Sequence, residues 1–354
     1  MKIRASTEFC ERFGLEIPIL LAPMAGACPP SLSIAVANAG GMGGCGALLF
    51  DPEEMKNWAA EFRSGSSGPF QMNLWIPDPA PRRDPAHETE VRRFLEHWGP
   101  VVPPEAGDVV LQDFHAQCKA LLEIQPTAVS SIMGLYPAEF ARAAKTRRIA
   151  WFATATTVRE AKAAEAAGAD AIIAQGMEAG GHRGAFDATK AERELIGLMA
   201  LIPAVADAVN LPVIAAGGIA DGRGVAAALT LGASAAMIGT GFLRCPEAKL
   251  HPAWAKALGE TTPEATMVSR AFSGRPGRTI ATNYARAAAE SSAPTPAPYP
   301  VQRGLTTPMR IEAQQMSDVQ RMQVWAGQSA ALARPEPAGE LLARVWSQAH
   351  SLLH

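Results

Sequence analysis

The chain has 354 residues, 48% of them hydrophobic, and a formal net charge of −2. That length allows one large domain or two smaller ones around a sizeable core, and without any block of Lys and Arg the chain lacks the basic footprint of a nucleic-acid binder. Its five cysteines are scattered and show no CxxC spacing, which argues against a disulfide framework or a zinc site and for a reducing compartment. Cys28 and Cys45 lie near predicted strand ends and read as small buried residues rather than reactive thiols. No apolar signal segment follows Met1. Residues 17–50 and 224–243 carry no charge, but prolines and glycines divide both, so no membrane span is expected and the protein reads as cytoplasmic.

In chain order, residues 17–24 form a first apolar strand ended by Pro23 and the glycine that follows. Residues 31–39 have helical spacing, with Ser31 as N-cap and Gly40-Gly41 as the stop. A glycine-rich second strand covers 42–48, and Asp51-Pro52-Glu53-Glu54 opens a helix with a cap, a proline and an acidic first turn. Strand three is 70–76. Residues 77–106, rich in Pro and charge, show no clear element and read as an excursion, a candidate lid. Then come a helix near 108–122, strand four at 128–133, a helix at 137–145, strand five at 149–155, and a helix at 157–167 stopped by Gly168. Strand six is 171–175, followed by a helix over 193–209, strand seven at 212–216, a helix over 221–231, and strand eight at 235–238.

The strands are almost uninterrupted in hydrophobicity, as strands buried on both faces are. Strict alternation with helices predicts a parallel α/β sheet, and eight units match a closed (β/α)8 TIM barrel over 1–245. The alternative, an open doubly wound sheet, is expected to carry GxGxxG after its first strand; the chain has Ala22-Pro23-Met24-Ala25-Gly26 there. Residues 246–354 read as a mainly helical extension. It holds a turn-rich 273–278, a Pro-rich linker at 291–308 and helical stretches near 309–333 and 337–353. These are expected to pack over the barrel or to form an oligomer contact, such as a homodimer.

Loops that follow barrel strands share one face, where the active site sits. After strand six comes Gly176-Met177-Glu178-Ala179-Gly180-Gly181-His182-Arg183-Gly184. Its glycines permit a sharp turn and a close approach, and its imidazole can move protons near neutral pH. A lone histidine is usually structural; the position of His182 favours contact with substrate. Glu178 reads as a second acid, a cap of the turn, or a partner of Arg183. The glycine pair Gly217-Gly218 after strand seven and Gly239-Thr240 after strand eight predict a phosphate cradle of backbone N–H groups. Gln175 and Asn73 suit hydrogen bonding to a polar ring edge. The seven histidines show no metal-ligand spacing and no GxSxG elbow is present, so neither a metal nor a serine triad is expected.

Taken together, 17–26, Gly40-Gly41-Met42-Gly43, Gln71-Met72-Asn73-Leu74-Trp75, the GxEAGGHxG loop at 176–184, 212–222, Gly239-Thr240-Gly241, Arg270-Ala271-Phe272-Ser273-Gly274-Arg275 and Pro298-Tyr299-Pro300 resemble the nitronate monooxygenases, FMN-dependent TIM barrels. The resemblance covers almost the whole chain, and its specific part is the 176–184 loop. It implies that Met24 and Asn73 contact the flavin, that Gln175, Gly180 and Gly181 line it, and that Gly217, Gly218, Gly239 and Thr240 hold its phosphate. It further implies that His182 is the active-site histidine and that Tyr299 lies near the substrate. Many members carry a second histidine after strand four, in Ser-Phe-His-Phe-Gly; this chain has Ser130-Ser131-Ile132-Met133-Gly134. The implied activity is oxidation of alkyl nitronates by molecular oxygen to a carbonyl compound and nitrite. Two rivals stand beside it: an FMN-dependent NAD(P)H reductase of the enoyl-acyl-carrier-protein or quinone type, and a non-enzymatic FMN- or phosphate-binding barrel.

Overall fold

The computed structural model describes residues 7–354; Met1, the start of the predicted leaderless N-terminus, lies outside the described residues. Strands β1 (Ile19–Leu21), β2 (Gly43–Gly46), β3 (Phe70–Trp75), β4 (Ala128–Ile132), β5 (Ala150–Ala155) and β6 (Ala171–Gln175) alternate with helices, as does the later part of the sheet. There the short β7 (Gly181–His182) precedes β8 (Val213–Ala216) and β9 (Ala235–Ile238). The eight-stranded sheet has the order β1-β9-β8-β6-β5-β4-β3-β2, and a parallel bridge between Leu20 and Met42 brings its two edges together. The expected (β/α)8 barrel is therefore present.

Alternation along each strand separates two cores. Met72 and Leu74 of β3 face outward onto Met55, Trp58 and Phe62 of the helix Pro52–Gly65. That helix begins as its sequence predicts: the Asp51 carboxylate accepts the N–H groups of Glu53 and Glu54, and Glu54 reaches back to the N–H of Asp51. The inward set includes Leu20, Phe152, Ile173, Ile214 and Met237. A short helix, Glu8–Phe13, closes the barrel floor with Phe9 and Phe13; the Phe13 ring meets Phe152 edge-on at 5.0 Å.

The structure differs from the sequence reading in four places. Residues 77–106 are not devoid of structure: Pro85–Leu95 is a helix, started by the Asp84 carboxylate on the N–H groups of Ala86 and His87 and docked through buried Val91 and Leu95. The helix predicted over 193–209 is confined to Leu198–Ala206, because the preceding residues fold as turns. The stretch near 309–333 is helical only over Thr307–Gln315, and Ser317 just beyond adopts φ +56°, which a continuing helix cannot. The turn-rich 273–278 lies between two unanticipated strands, β10 (Thr266–Ser269) and β11 (Gly277–Ile280), which pair with each other antiparallel.

The last helix, Ala338–Leu353, lies against the helices Gly222–Thr230 and Pro30–Asn38, and Leu341, Leu342, Val345 and Trp346 are buried in the outer core there. All five cysteines are free and buried, in line with the small-buried-residue reading. No helix among the described residues is long and apolar enough to cross a membrane. Phe13→Ala is expected to lower stability by about 3 kcal/mol, read as a lower urea midpoint at unchanged denaturant slope; an unchanged midpoint would mean that the floor helix contributes nothing.

Candidate active site

A cavity of about 530 Å³ opens at the C-terminal ends of the barrel strands, roofed by the C-terminal extension. Its floor and near wall carry Met24 from the loop after β1, Asn73 from β3 and Gln175 from β6. Asn73 is buried and donates from Nδ2 to Ser130 Oγ at 3.1 Å, across the β3–β4 register. Gln175 is also buried, and its amide is spent on its own loop: Nε2 donates to His182 O (3.1 Å) and Oε1 accepts the Gly184 N–H (2.8 Å). The side chain thus clamps the turn that carries His182.

The predicted cradle occupies one end. Gly180, Gly217, Gly218, Gly239 and Thr240 all line the cavity, with Gly181 alongside. Gly217 and Gly218 have φ +116° and +67°, a conformation that an L side chain resists. Among the described residues the backbone N–H groups of Gly217, Gly218, Gly239 and Thr240 donate to no protein acceptor. Four orphaned donors converging on a cavity wall are what a bound anion requires, so the residues present fit a phosphate-bearing cofactor. The segment Trp325–Ser329 covers this end: the Gly327 N–H donates to Thr240 Oγ1 at 3.0 Å, and the Ser329 hydroxyl donates to Gly218 O.

His182 lies toward the other end. β7 pairs antiparallel with β11, His182 opposite Gly277 and Gly181 opposite Arg278, so the turn becomes the third strand of a small sheet. Aromatic rings surround the imidazole: Trp75 edge-on at 4.6 Å, Trp325 at 4.7 Å, and Tyr299 at 5.5 Å from Trp75. His182 Nε2 is 2.7 Å from Ser273 Oγ, and the Ser273 hydroxyl lies 3.3 Å from Arg275 O. Ser273 Oγ also accepts the Arg275 N–H at 3.3 Å; in the tautomer that carries its proton on Nε2, the imidazole donates to Ser273 and Ser273 donates to Arg275 O. In that tautomer Nδ1, which has no protein partner among the described residues, is the basic nitrogen.

Burial, then the charges of Arg275 and Arg303, pull the His182 pKa down to about 3. The ring keeps an edge open to the cavity, but Trp75, Trp325 and Ser273 take the place of water on its other sides, which disfavours the charged form. Arg275 is itself almost fully buried, held by Asp78 at 2.6 Å and by Ala185 O at 3.0 Å. Glu178 is not a second acid in the cavity. It accepts the Leu198 N–H at 2.9 Å and starts the following helix, while Arg183 turns to Gln175 O. Ile132, from the stretch where many resembling proteins carry a second histidine, lines the cavity instead. Two arginines, Arg303 and Arg310, also line it. Ser273, Trp75, Trp325 and Arg303 carried no role in the sequence reading, because their places around the cavity depend on partners distant in the chain.

Comparison with known proteins agrees with this architecture. The family model described as Nitronate monooxygenase matches residues 7–348. The chain belongs to the nitronate monooxygenase family. It is 38% identical to the nitronate monooxygenase of Paraburkholderia phytofirmans, over 94% of this chain and 92% of that protein. Identity to the nitronate monooxygenase of Pseudomonas aeruginosa is also 38%, over 94% of this chain and 96% of the relative. The crystal structure of nitroalkane oxidase from Streptomyces ansochromogenes superposes with a TM-score of 0.87 at 35% identity, covering 98% of this chain and all of that one. The family is one of flavin-dependent oxidoreductases acting on small molecules, and this chain is such an enzyme.

The low pKa of His182 has a consequence for stability. The folded ring stays neutral down to about pH 3, whereas the unfolded ring takes its proton near 6.5. Below that value the unfolded state binds more protons, so the stability is complete above about 6.5 and is lost as pH falls toward 3. In flavin-free protein, urea midpoints are expected to fall between roughly pH 7 and pH 5, with a shallower fall in His182→Gln. An identical slope in the two proteins would contradict a neutral His182.

Proposed function

We propose that this enzyme binds FMN with its phosphate on the N–H groups of Gly217, Gly218, Gly239 and Thr240, and oxidises alkyl nitronates with molecular oxygen to a carbonyl compound and nitrite. The observation that carries the reading is the pairing of two features in one cavity: a cradle of orphaned donors at one end and a neutral, aromatic-walled imidazole at the other. The chemistry FMN supplies when bound is one-electron oxidation of the nitronate, whose radical oxygen traps.

The protein's own part is positional and acid–base. Met24, Asn73, Gln175, Gly180 and Gly181 would border the flavin, and Tyr299 the substrate. The clamp from Gln175 and the pairing of β7 with β11 hold His182 on the substrate side. Because Nε2 is committed to Ser273, proton transfer falls to Nδ1. In the complex the negative charge developing on the substrate raises the proton affinity of the imidazole, so a neutral Nδ1 can take the α-proton of a nitroalkane and form the nitronate in place. The rings of Trp75 and Trp325 exclude water around it, which strengthens each polar contact inside.

Two measurements test this. Gly217→Ala forces a side chain onto a φ of +116°, where its Cβ would meet Ala179 N at 3.0 Å. It is expected to weaken FMN binding roughly tenfold or more and riboflavin binding much less, since riboflavin has no phosphate; equal weakening would remove the phosphate from this cradle. His182→Asn is expected to retain flavin and to lose on the order of a hundredfold or more in kcat/KM with nitroethane. Its loss with ethyl nitronate, which arrives deprotonated, should be smaller. Full turnover of both substrates would end the role assigned to His182.

A further inference from the structure

The cavity has an uneven charge inventory. Among the described residues its lining includes two arginines and no aspartate or glutamate. Arg310 is committed: Nε donates to Thr306 Oγ1, Nη1 to Gln323 Oε1, and Nη2 to Arg303 O and Thr307 Oγ1, all between 2.8 and 3.2 Å. It braces the helix Val301–Leu305 and the helix that follows. Arg303 is the opposite case. Its backbone oxygen accepts from Arg310 and the two threonines, but among the described residues its guanidinium makes no hydrogen bond or ion pair. It is half-buried on the cavity wall.

Tyr299 stands beside it with the same property. The side chain is 8% exposed and lines the cavity, yet its hydroxyl has no hydrogen-bond partner among the described residues. Both line the cavity together with His182, and the Tyr299 ring lies 5.5 Å from Trp75, which itself meets the imidazole at 4.6 Å. A hydroxyl and a guanidinium that face the same cavity, with no protein acceptor among the described residues, are free to bind a ligand that supplies acceptors. The ligand they fit is an anion with planar oxygens, which a guanidinium fork binds in two-point fashion.

We propose that Arg303, with the Tyr299 hydroxyl beside it, binds the charged oxygens of the nitronate and selects that anion over the neutral nitroalkane. The inference rests on the nitronate reading above and deepens it, because a neutral His182 offers no positive charge to the substrate. Arg303 is a binding residue and takes no proton. The other groups facing the imidazole do not replace it: Arg275 is neutralised by Asp78, and Arg310 is spent on the helix.

The test uses full-length, FMN-loaded protein and its Arg303→Gln and Arg303→Lys variants. Ethyl nitronate and nitroethane are compared as substrates. Sodium nitrate, a planar anion that does not react, is titrated while the flavin spectrum is followed. In Arg303→Gln the KM for ethyl nitronate and the Kd for nitrate are expected to rise about tenfold to a hundredfold, with kcat falling less and the KM for nitroethane moving little. Arg303→Lys, which keeps the charge, should recover part of the affinity and guards against a folding defect, which flavin content also reports. Unchanged nitrate and nitronate affinity in Arg303→Gln would overturn the proposal, as would an equal rise in KM for nitroethane. If the wild-type protein does not oxidise ethyl nitronate, the nitronate reading fails, and the nitrate titration still decides whether Arg303 holds an anion.

Discussion

The site depends on one backbone pairing between distant parts of the chain. Gly181 and His182 would be a free glycine loop if they had only the barrel strand behind them. They become strand β7 because β11, almost a hundred residues later, supplies a ladder partner. The Arg183 N–H extends the contact to Pro276 O at 2.9 Å. The same turn that ends in β11 carries Ser273 and Arg275, so the element that fixes the backbone of His182 also holds its ring and, after burial, adds to the lowering of its pKa.

Seen this way, barrel and extension divide the work. The barrel brings glycine loops to one rim and leaves their N–H groups unpaired, a feature that a βα architecture produces wherever strands end in Gly-Gly turns. The extension roofs the rim. Through Trp325–Ser329 it covers the cradle, and through Tyr299, Arg303 and the β10–β11 hairpin it builds the walls around His182. The two ends of the cavity differ in chemistry for this reason: one is lined by backbone, the other by aromatic rings and a guanidinium.

Much of the barrel can be read in the sequence because its signals are local. Continuous apolar runs such as 171–175, caps such as Asp51 and Asp221, and stops such as Gly168 each depend on neighbours a few residues away. The histidine and the glycine pairs stand out for the same reason. What stayed hidden depends on distant partners. Nothing in Thr266–Ser269 or Gly277–Ile280 announces a strand until they meet each other and His182. Pro85–Leu95 sits in a stretch whose prolines and charges mask a properly capped helix. Arg303 looks like any surface arginine; only the lack of an acceptor for it among the described residues, visible in three dimensions, separates it from Arg310. Gln175 reads as a group for a ring edge, but the fold engages its amide at both ends within the loop.

The central claim is that this cavity oxidises nitronates without a pyridine nucleotide. Oxygen consumption by the purified, FMN-loaded protein with ethyl nitronate as sole substrate tests it most directly. The account predicts rapid oxygen uptake with release of nitrite, and a flavin that stays oxidised when NADH or NADPH is added anaerobically. No uptake with ethyl nitronate, together with prompt flavin bleaching by either pyridine nucleotide, would contradict it and point to a reductase built on the same barrel.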